Sequence, residues 1–318
     1  MNYSVVNGDA DGLCALQQLC LEQPFPNQLI TGVKRDIALL EQVKAQAGDQ
    51  VTVLDLSLDR NRQPLLRLLA AGVRVRYFDH HYAGVIPSHP ALEAHIDPRP
   101  DQGTSLLVNA YLGGRAARWA IVGTFGDNFD QAAYHLADAI DLPTSARAAL
   151  RELGILLNYN SYGLTLNDLH IAPATLFERL HPYADPMEFI ANDATVSELR
   201  TGYAQDMARA QAIPALTSGA GYAVFVHPDA AWARRVSGVW ANALAQAAPD
   251  RAHALLTALE NGDYVVSVRA PLIAPQGADA LCRQFPSGGG RAAAAGINRL
   301  PAAHCDSFVA AFAAAFAS

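Results

Sequence analysis

Short apolar runs alternate with amphipathic stretches through the first 130 residues. Ser4–Val6, Leu29–Thr31, Val51–Leu54 and Val73–Phe78 are compact apolar runs that predict strands. Gly12–Glu22, with Leu13, Leu16, Leu19 and Cys20 on one face, predicts a helix, as do Ile37–Ala47 and Arg60–Ala71. Gly72 follows the last of these as a C-cap glycine would. The repeated strand–helix order implies a parallel sheet with helices on both faces, and the nearly continuous apolar strands fit burial on both sides. Ser105–Tyr111 and Trp119–Phe125 are apolar, residues 130–160 read as helical, and residues 161–212 read as a polar, helix-rich connector. The pattern then restarts with a strand at Tyr222–Val226 and a helix at Val236–Gln246. Strands at Ala254–Leu259 and Val265–Arg269 are joined by the hairpin signal Asn261-Gly262-Asp263. Gly288-Gly289-Gly290 follows, and an alanine-rich helix at Phe308–Phe316 closes the chain. The expected class is α/β: a parallel-sheet domain over 1–190, a linker over 191–214 and a smaller α/β domain over 215–318.

Composition sharpens this picture. A chain of 318 residues suits two modest domains, and 51% hydrophobic with 17% charged residues excludes a disordered chain. Cys14, Cys20, Cys282 and Cys305 form no C-x-x-C pair, which argues against a disulfide framework or a zinc finger. The start of the chain lacks a basic segment followed by an apolar one, so no signal peptide is expected. No apolar run approaches the roughly 20 residues that span a bilayer. The expected compartment is the cytoplasm, with no membrane partner. The net charge of −7 argues against a protein held to long nucleic acid by bulk charge, while leaving short substrates open. The acid excess lies in residues 1–208, with 15 basic and 24 acidic side chains; residues 209–318 carry 8 and 6.

The chemistry-bearing residues gather where strands end. Asn7-Gly8-Asp9-Ala10-Asp11-Gly12 follows the first strand, Asp55 the third and Asp79-His80-His81 the fourth, while Asp127 follows the apolar run Trp119–Val122. Each alone reads as a turn or a helix cap. Together they fall at one end of one expected sheet, the edge where ligands bind in open α/β folds. Carboxylates and imidazoles without thiolates suit hard or borderline divalent cations, and their number is enough for two ions. Lys34 and Arg35 follow the second strand and either meet a phosphate or form an ordinary solvated loop. Thr104-Ser105 opens a helix, where it either binds phosphate or merely caps. His89, His95, His170, His181 and His253 have no ordered partners in sequence and read as surface or structural residues; Trp119 and Trp240 read as core.

The ordered set Asp9-x-Asp11-Gly12, Asp55, Asp79-His80-His81 and Asp127 resembles the DHH phosphoesterase family, which includes RecJ-type exonucleases and oligoribonucleases. Gly288-Gly289-Gly290-Arg291, followed by Ala292–Gly296, resembles the glycine motif of that family's C-terminal DHHA1-type domain. The resemblance implies a DHH-type catalytic domain, a DHHA1-like substrate-binding domain and a cleft between them. It also implies two Mn2+ or Mg2+ ions and hydrolysis of a small phosphorylated substrate, such as a short single-stranded oligonucleotide or a nucleotide, by activated water. Carried over, Asp9, Asp11, Asp55, His80 and Asp127 are metal ligands, with Asp55 bridging and acting in catalysis. Asp79 is a ligand or a partner that orients the imidazoles. His81 is catalytic and faces the scissile phosphate. Gly288, Gly289, Gly290 and Arg291, with Arg299 as a further guanidinium, bind substrate. Many members have His or Asp at the position of Asn7, and His at that of Arg291, so one metal site is expected to be less tight and the substrate choice to differ. The alternatives are a nucleotide-binding regulatory module with a degenerate site and a pyrophosphatase-like hydrolase. A homodimer is compatible with either.

Overall fold

The structure, a computed structural model, describes residues 1–22 and 28–317. The chain divides into two compact units, Met1–Thr201 and Gly202–Ser318. The first runs β1 (Asn2–Val6), α1 (Ala10–Glu22), β2 (Gln28–Thr31), β3 (Gln50–Leu54), α2 (Arg62–Ala70), β4 (Arg74–Asp79), β5 (Leu92–Ile96), α3 (Thr104–Tyr111), α4 (Ala117–Gly126), α5 (Asp130–Ala139), α6 (Thr144–Ser161), α7 (Pro173–Leu180), α8 (Pro186–Asn192) and α9 (Ala194–Gln211). The division falls inside α9, so residues 191–214 are largely helix. No helix among the described residues is long and apolar enough to cross a membrane.

The first sheet has the order β2-β1-β3-β4-β5, and every pairing is parallel. Its register explains its core. Tyr3, Val51 and Val75 form one row, Val5, Val53 and Tyr77 the next, and both point to the face covered by Leu39, Leu40, Val43, Leu65 and Leu68. The alternate residues Val6, Leu54 and Phe78 are fully buried on the opposite face, and α1 packs on β1 and β3. After α2, Gly72 takes φ +80; its N–H donates to Leu69 O and that of Val73 to Leu68 O, the glycine-terminated helix end expected there.

Three features depart from the sequence pattern. The helix expected over Ile37–Ala47 is only a single 3-10 turn, Leu39–Gln42. The fully buried Asn61 intervenes there: its Oδ1 accepts from Leu40 N (3.2 Å) and its Nδ2 donates to Ile37 O (2.7 Å). Tertiary bonds thus replace helical ones. The apolar run ending before Asp127 is the helix α4, with Asp127 as its C-cap, because a short fully buried run has no readable period. The edge strand β5 lacks the apolar run of its neighbours and leaves Glu93 and Ala94 exposed.

The second unit contains β6 (Thr217–Ser218), β7 (Tyr222–His227), α10 (Ala231–Ala247), β8 (Ala252–Ala258), β9 (Tyr264–Arg269), α11 (Ala278–Cys282), β10 (Gly288–Gly290), β11 (Ala294–Leu300) and α12 (Cys305–Ala315). Its sheet has the order β10-β11-β9-β8-β7-β6, with only β7 and β8 parallel. Val224, Ala254, Leu256, Val266, Val268 and Ile297 pack beneath Phe308, Phe312 and Phe316. The β8–β9 hairpin turns at Gly262 with φ +84.

Helices α4 and α6 cross closely at Gly154, where an added Cβ would lie 2.4 Å from Val122 O and 2.9 Å from Gly126 N. Backbone atoms cannot give way as a side chain can. Gly154→Val is expected to lower stability by about 1–3 kcal/mol or more, read as an earlier urea midpoint; an unchanged midpoint would contradict this packing.

Candidate metal centre

Parallel hydrogen bonding brings the site together. The ladder continues one residue past each strand: Asn7 N donates to Leu54 O, Asp55 N to Phe78 O and Asp97 N to Asp79 O. The loops after β1, β3 and β4 therefore leave the sheet in one row. Gly8 is where the loops after β1 and β2 touch, since a Cβ there would meet Gly32 O at 1.9 Å. Asp55 itself adopts φ +60, a left-handed conformation uncommon outside glycine. Asp127 joins from a helix end instead of a strand end, which corrects the expectation of four strand-end clusters.

Most of the expected acidic and imidazole residues converge within the first unit. Asp11, Asp55, His80 and Asp127 each offer a ligand atom, all within 4.8 Å of one another, and Asp55, His80 and His81 form a second such group. His80 Nε2 lies 3.4 Å from both Asp55 Oδ1 and Asp127 Oδ2. That is too far for a good hydrogen bond, and this nitrogen is buried without a partner. Asp79 stands apart from both groups. Its Oδ1 accepts from His81 N (3.2 Å) and meets His81 Nδ1 (2.7 Å), which fixes the His81 ring. Asp79 Oδ2 is buried without a partner.

Asp9 and Asp11 are held differently. Asp9 Oδ1 accepts from Gly12 N at 3.0 Å, and Asp9 Oδ2 from Lys34 Nζ at 2.5 Å. The same ammonium donates to Asp127 Oδ1 (2.8 Å) and Asn158 Oδ1 (3.1 Å). Lys34 thus belongs to the site, and the solvated-loop alternative holds only for the exposed Arg35. Asp11 accepts from Thr104 N at 2.7 Å and from Ser105 N at 2.8 Å, so a carboxylate of this chain caps α3. The α3 N-terminus is therefore not the free phosphate site weighed for Thr104-Ser105. Thr104 Oγ1 adds a 3.1 Å hydrogen bond to Asp55 Oδ1. Asn7 turns its Nδ2 to Lys34 O at 3.3 Å, leaving its buried Oδ1 without a partner.

The electrostatics follow from crowding. Burial, then the charges of Asp127 and Asp9, push the Asp11 carboxyl up to about 6. Burial and the Asp9 charge push Asp55 well above the usual carboxylate range. Burial would raise Asp9 as well, but Lys34 outweighs it and holds Asp9 below its ordinary value. Burial opposes charge on His80, yet the close approach of Asp55 and the charges of Asp11 and Asp127 outweigh that and raise it to about 10. Converging carboxylates that resist joint ionisation, beside a buried imidazole nitrogen with no partner, fit a divalent cation.

In the second unit, packing explains two of the three adjacent glycines. A Cβ at Gly288 would lie 1.8 Å from Cys282 O and one at Gly290 2.5 Å from Ala295 Cα, whereas Gly289 faces open space. Arg291 is exposed, and Arg299 is engaged with Asp263 through a 2.6 Å contact. All four thiols are free. Lys34 is the residue sequence reasoning comes closest to missing; its position after β2, at the same sheet edge, is the signal for it. Asn158, inside α6, gives none.

His80 gains a proton more readily in the folded protein than in the unfolded chain. Its contribution to metal-free stability is full below pH 6.5 and is lost as pH rises through about 10. With chelator present, wild-type stability is expected to fall between pH 7 and 10 in chemical denaturation. A His80→Asn variant should give a flatter profile, and identical slopes would refute the assignment.

The fold is shared with solved structures of DHH type. RecJ from Thermus thermophilus in complex with Mn2+ aligns with a TM-score of 0.58 at 20% identity, covering 98% of this chain and 51% of that one. The chain thus spans about half of that RecJ's length. The DHH domain of a member of a ribosomal-protein family gives 0.61 at 12% identity, covering 98% and 85%. The pGpG-specific phosphodiesterase PggH from Vibrio cholerae gives 0.54 at 15% identity, covering 98% and 97%. No family model and no curated protein matches the sequence. What the chain shares with these structures is a two-sheet α/β fold of the DHH and RecJ-like type.

Proposed function

We propose that the chain is a divalent-metal-dependent phosphoesterase acting on a small phosphorylated substrate, either a short oligonucleotide or a nucleotide. The observation that carries this reading is the convergence of Asp11, Asp55, His80 and Asp127 within 4.8 Å of one another. It occurs on a fold shared with RecJ and a pGpG-specific phosphodiesterase. The residues that would hold Mn2+ or Mg2+ are Asp9, Asp11, Asp55, His80 and Asp127, with Asp55 central and Asp79 in support. Bound there, two such ions would supply an acidified water and positive charge to offset that on phosphoryl oxygens.

The chain itself supplies orientation and a proton. Asp79 fixes His81 through Nδ1, and the His81 side chain is 45% exposed, so its Nε2 is free to face a substrate. Burial opposes charge on His81, but Asp79 and Asp55 outweigh it and raise its pKa, which suits donation to a phosphate or leaving oxygen. Gly289 leaves backbone open to a close approach, and Arg291 supplies an always-charged guanidinium. The acid-rich first unit favours a small substrate over a long polynucleotide. Four free thiols fit a cytoplasmic chain. One observation favours a second reading, a nucleotide-sensing module with a degenerate site: the Lys34 ammonium sits where a cation would bind between Asp9 and Asp127.

The two readings part on turnover. Mn2+-dependent release of nucleotide from di- to pentanucleotides is expected, with Asp55→Asn and His81→Ala each slower by about 10²–10⁴-fold. Undiminished activity in both variants would sink the catalytic assignment. No turnover of any phosphoester would favour the sensing module.

A further inference from the structure

We propose that Lys34 sets the order in which this centre takes up divalent ions. The first ion enters among Asp11, Asp55 and His80; a second reaches Asp9 and Asp127 only by displacing the Lys34 ammonium. The proposal rests on the metal-dependent reading above and assigns Lys34 a positioning role within it.

An ammonium has three hydrogens to donate, and Lys34 Nζ has three oxygens in reach: Asp9 Oδ2 at 2.5 Å, Asp127 Oδ1 at 2.8 Å and Asn158 Oδ1 at 3.1 Å. Its capacity is used up within the protein. Asp9 is equally committed, since its other oxygen accepts from Gly12 N and its side chain is only 2% exposed. A divalent ion bound to Asp9 Oδ2 cannot coexist with an ammonium at 2.5 Å from the same oxygen, because two cations so close repel strongly.

Asp127 separates the two positions. Its Oδ1 faces Lys34 and its Oδ2 faces His80, 3.4 Å from Nε2. An ion among Asp11, Asp55 and His80 uses the second oxygen while Lys34 keeps the first. The lysine has a way out as well. Its backbone is anchored by Lys34 N donating to Ser161 O at 2.9 Å, so only the side chain must move. That side chain is 27% exposed, and its ammonium lies 5.7 Å from the centroid of the Tyr162 ring, a face that accepts a cation.

The sequence makes the test unusually clean, because Lys34 and the exposed Lys44 are the only lysines. Protein labelled with ε-13C-lysine gives two side-chain signals, with Lys44 as internal reference. On titration with Mg2+, the Lys34 signal should hold through the first equivalent and move with the second. Calorimetry with Mn2+ should find two classes of site about tenfold or more apart in the wild type. Lys34→Met should tighten the weaker one, and Lys34→Arg should restore the gap. A Lys34 signal that moves with the first equivalent, or never moves while two ions bind, overturns the proposal alone. So does a weaker site unchanged in Lys34→Met. Failure of the wild type to take up any divalent ion overturns the metal-dependent reading with it. The labelled wild type keeps the proposal testable should Lys34→Met fail to fold.

Discussion

Buried negative charge must be balanced, and the first unit is arranged around that requirement. Asp9, Asp11 and Asp55 are at most 1% exposed and lie close to Asp127. In water their repulsion would be weak; in a pocket of low polarity it competes with folding itself. The chain answers with three internal positive poles. The Lys34 ammonium meets Asp9 and Asp127, the His80 imidazole faces Asp55 and Asp127, and the first N–H groups of α3 meet Asp11. Each carboxylate thus faces a positive pole, which offsets its charge within the fold.

That balance depends on where the backbone releases each residue. Parallel strands set Asn7, Asp55 and Asp79 at one edge of one sheet through successive ladder bonds. A left-handed turn at Asp55 then aims its carboxylate inward. The apolar rows beneath, Tyr3–Val51–Val75 and Val5–Val53–Tyr77, keep the register from slipping, because a one-residue shift would exchange them with Val6, Leu54 and Phe78, which are packed on the opposite face.

Much of this was legible because strands and acidic turns leave local marks. The apolar runs β1, β3 and β4 and the acidic residues after them needed no tertiary information, nor did the Asn261-Gly262 hairpin. What escaped detection depends on distant partners. Asn61 converts the periodic stretch Ile37–Ala47 into a single turn by bonding two of its backbone groups. The helix carrying Asp127 is buried nearly throughout and so shows no amphipathic period. Asp11 capping α3 joins residues more than ninety positions apart, and nothing near either one announces it.

That last contact also bears on ion size. Both oxygens of Asp11 are already gripped by a helix end, so the carboxylate cannot swing to follow whatever it binds. A ligand free to rotate accommodates ions of several radii; a fixed one makes the gap itself the gauge. The placement of α3 against α1, set by packing well outside the pocket, therefore fixes the gap that an ion held at Asp11 would have to fit.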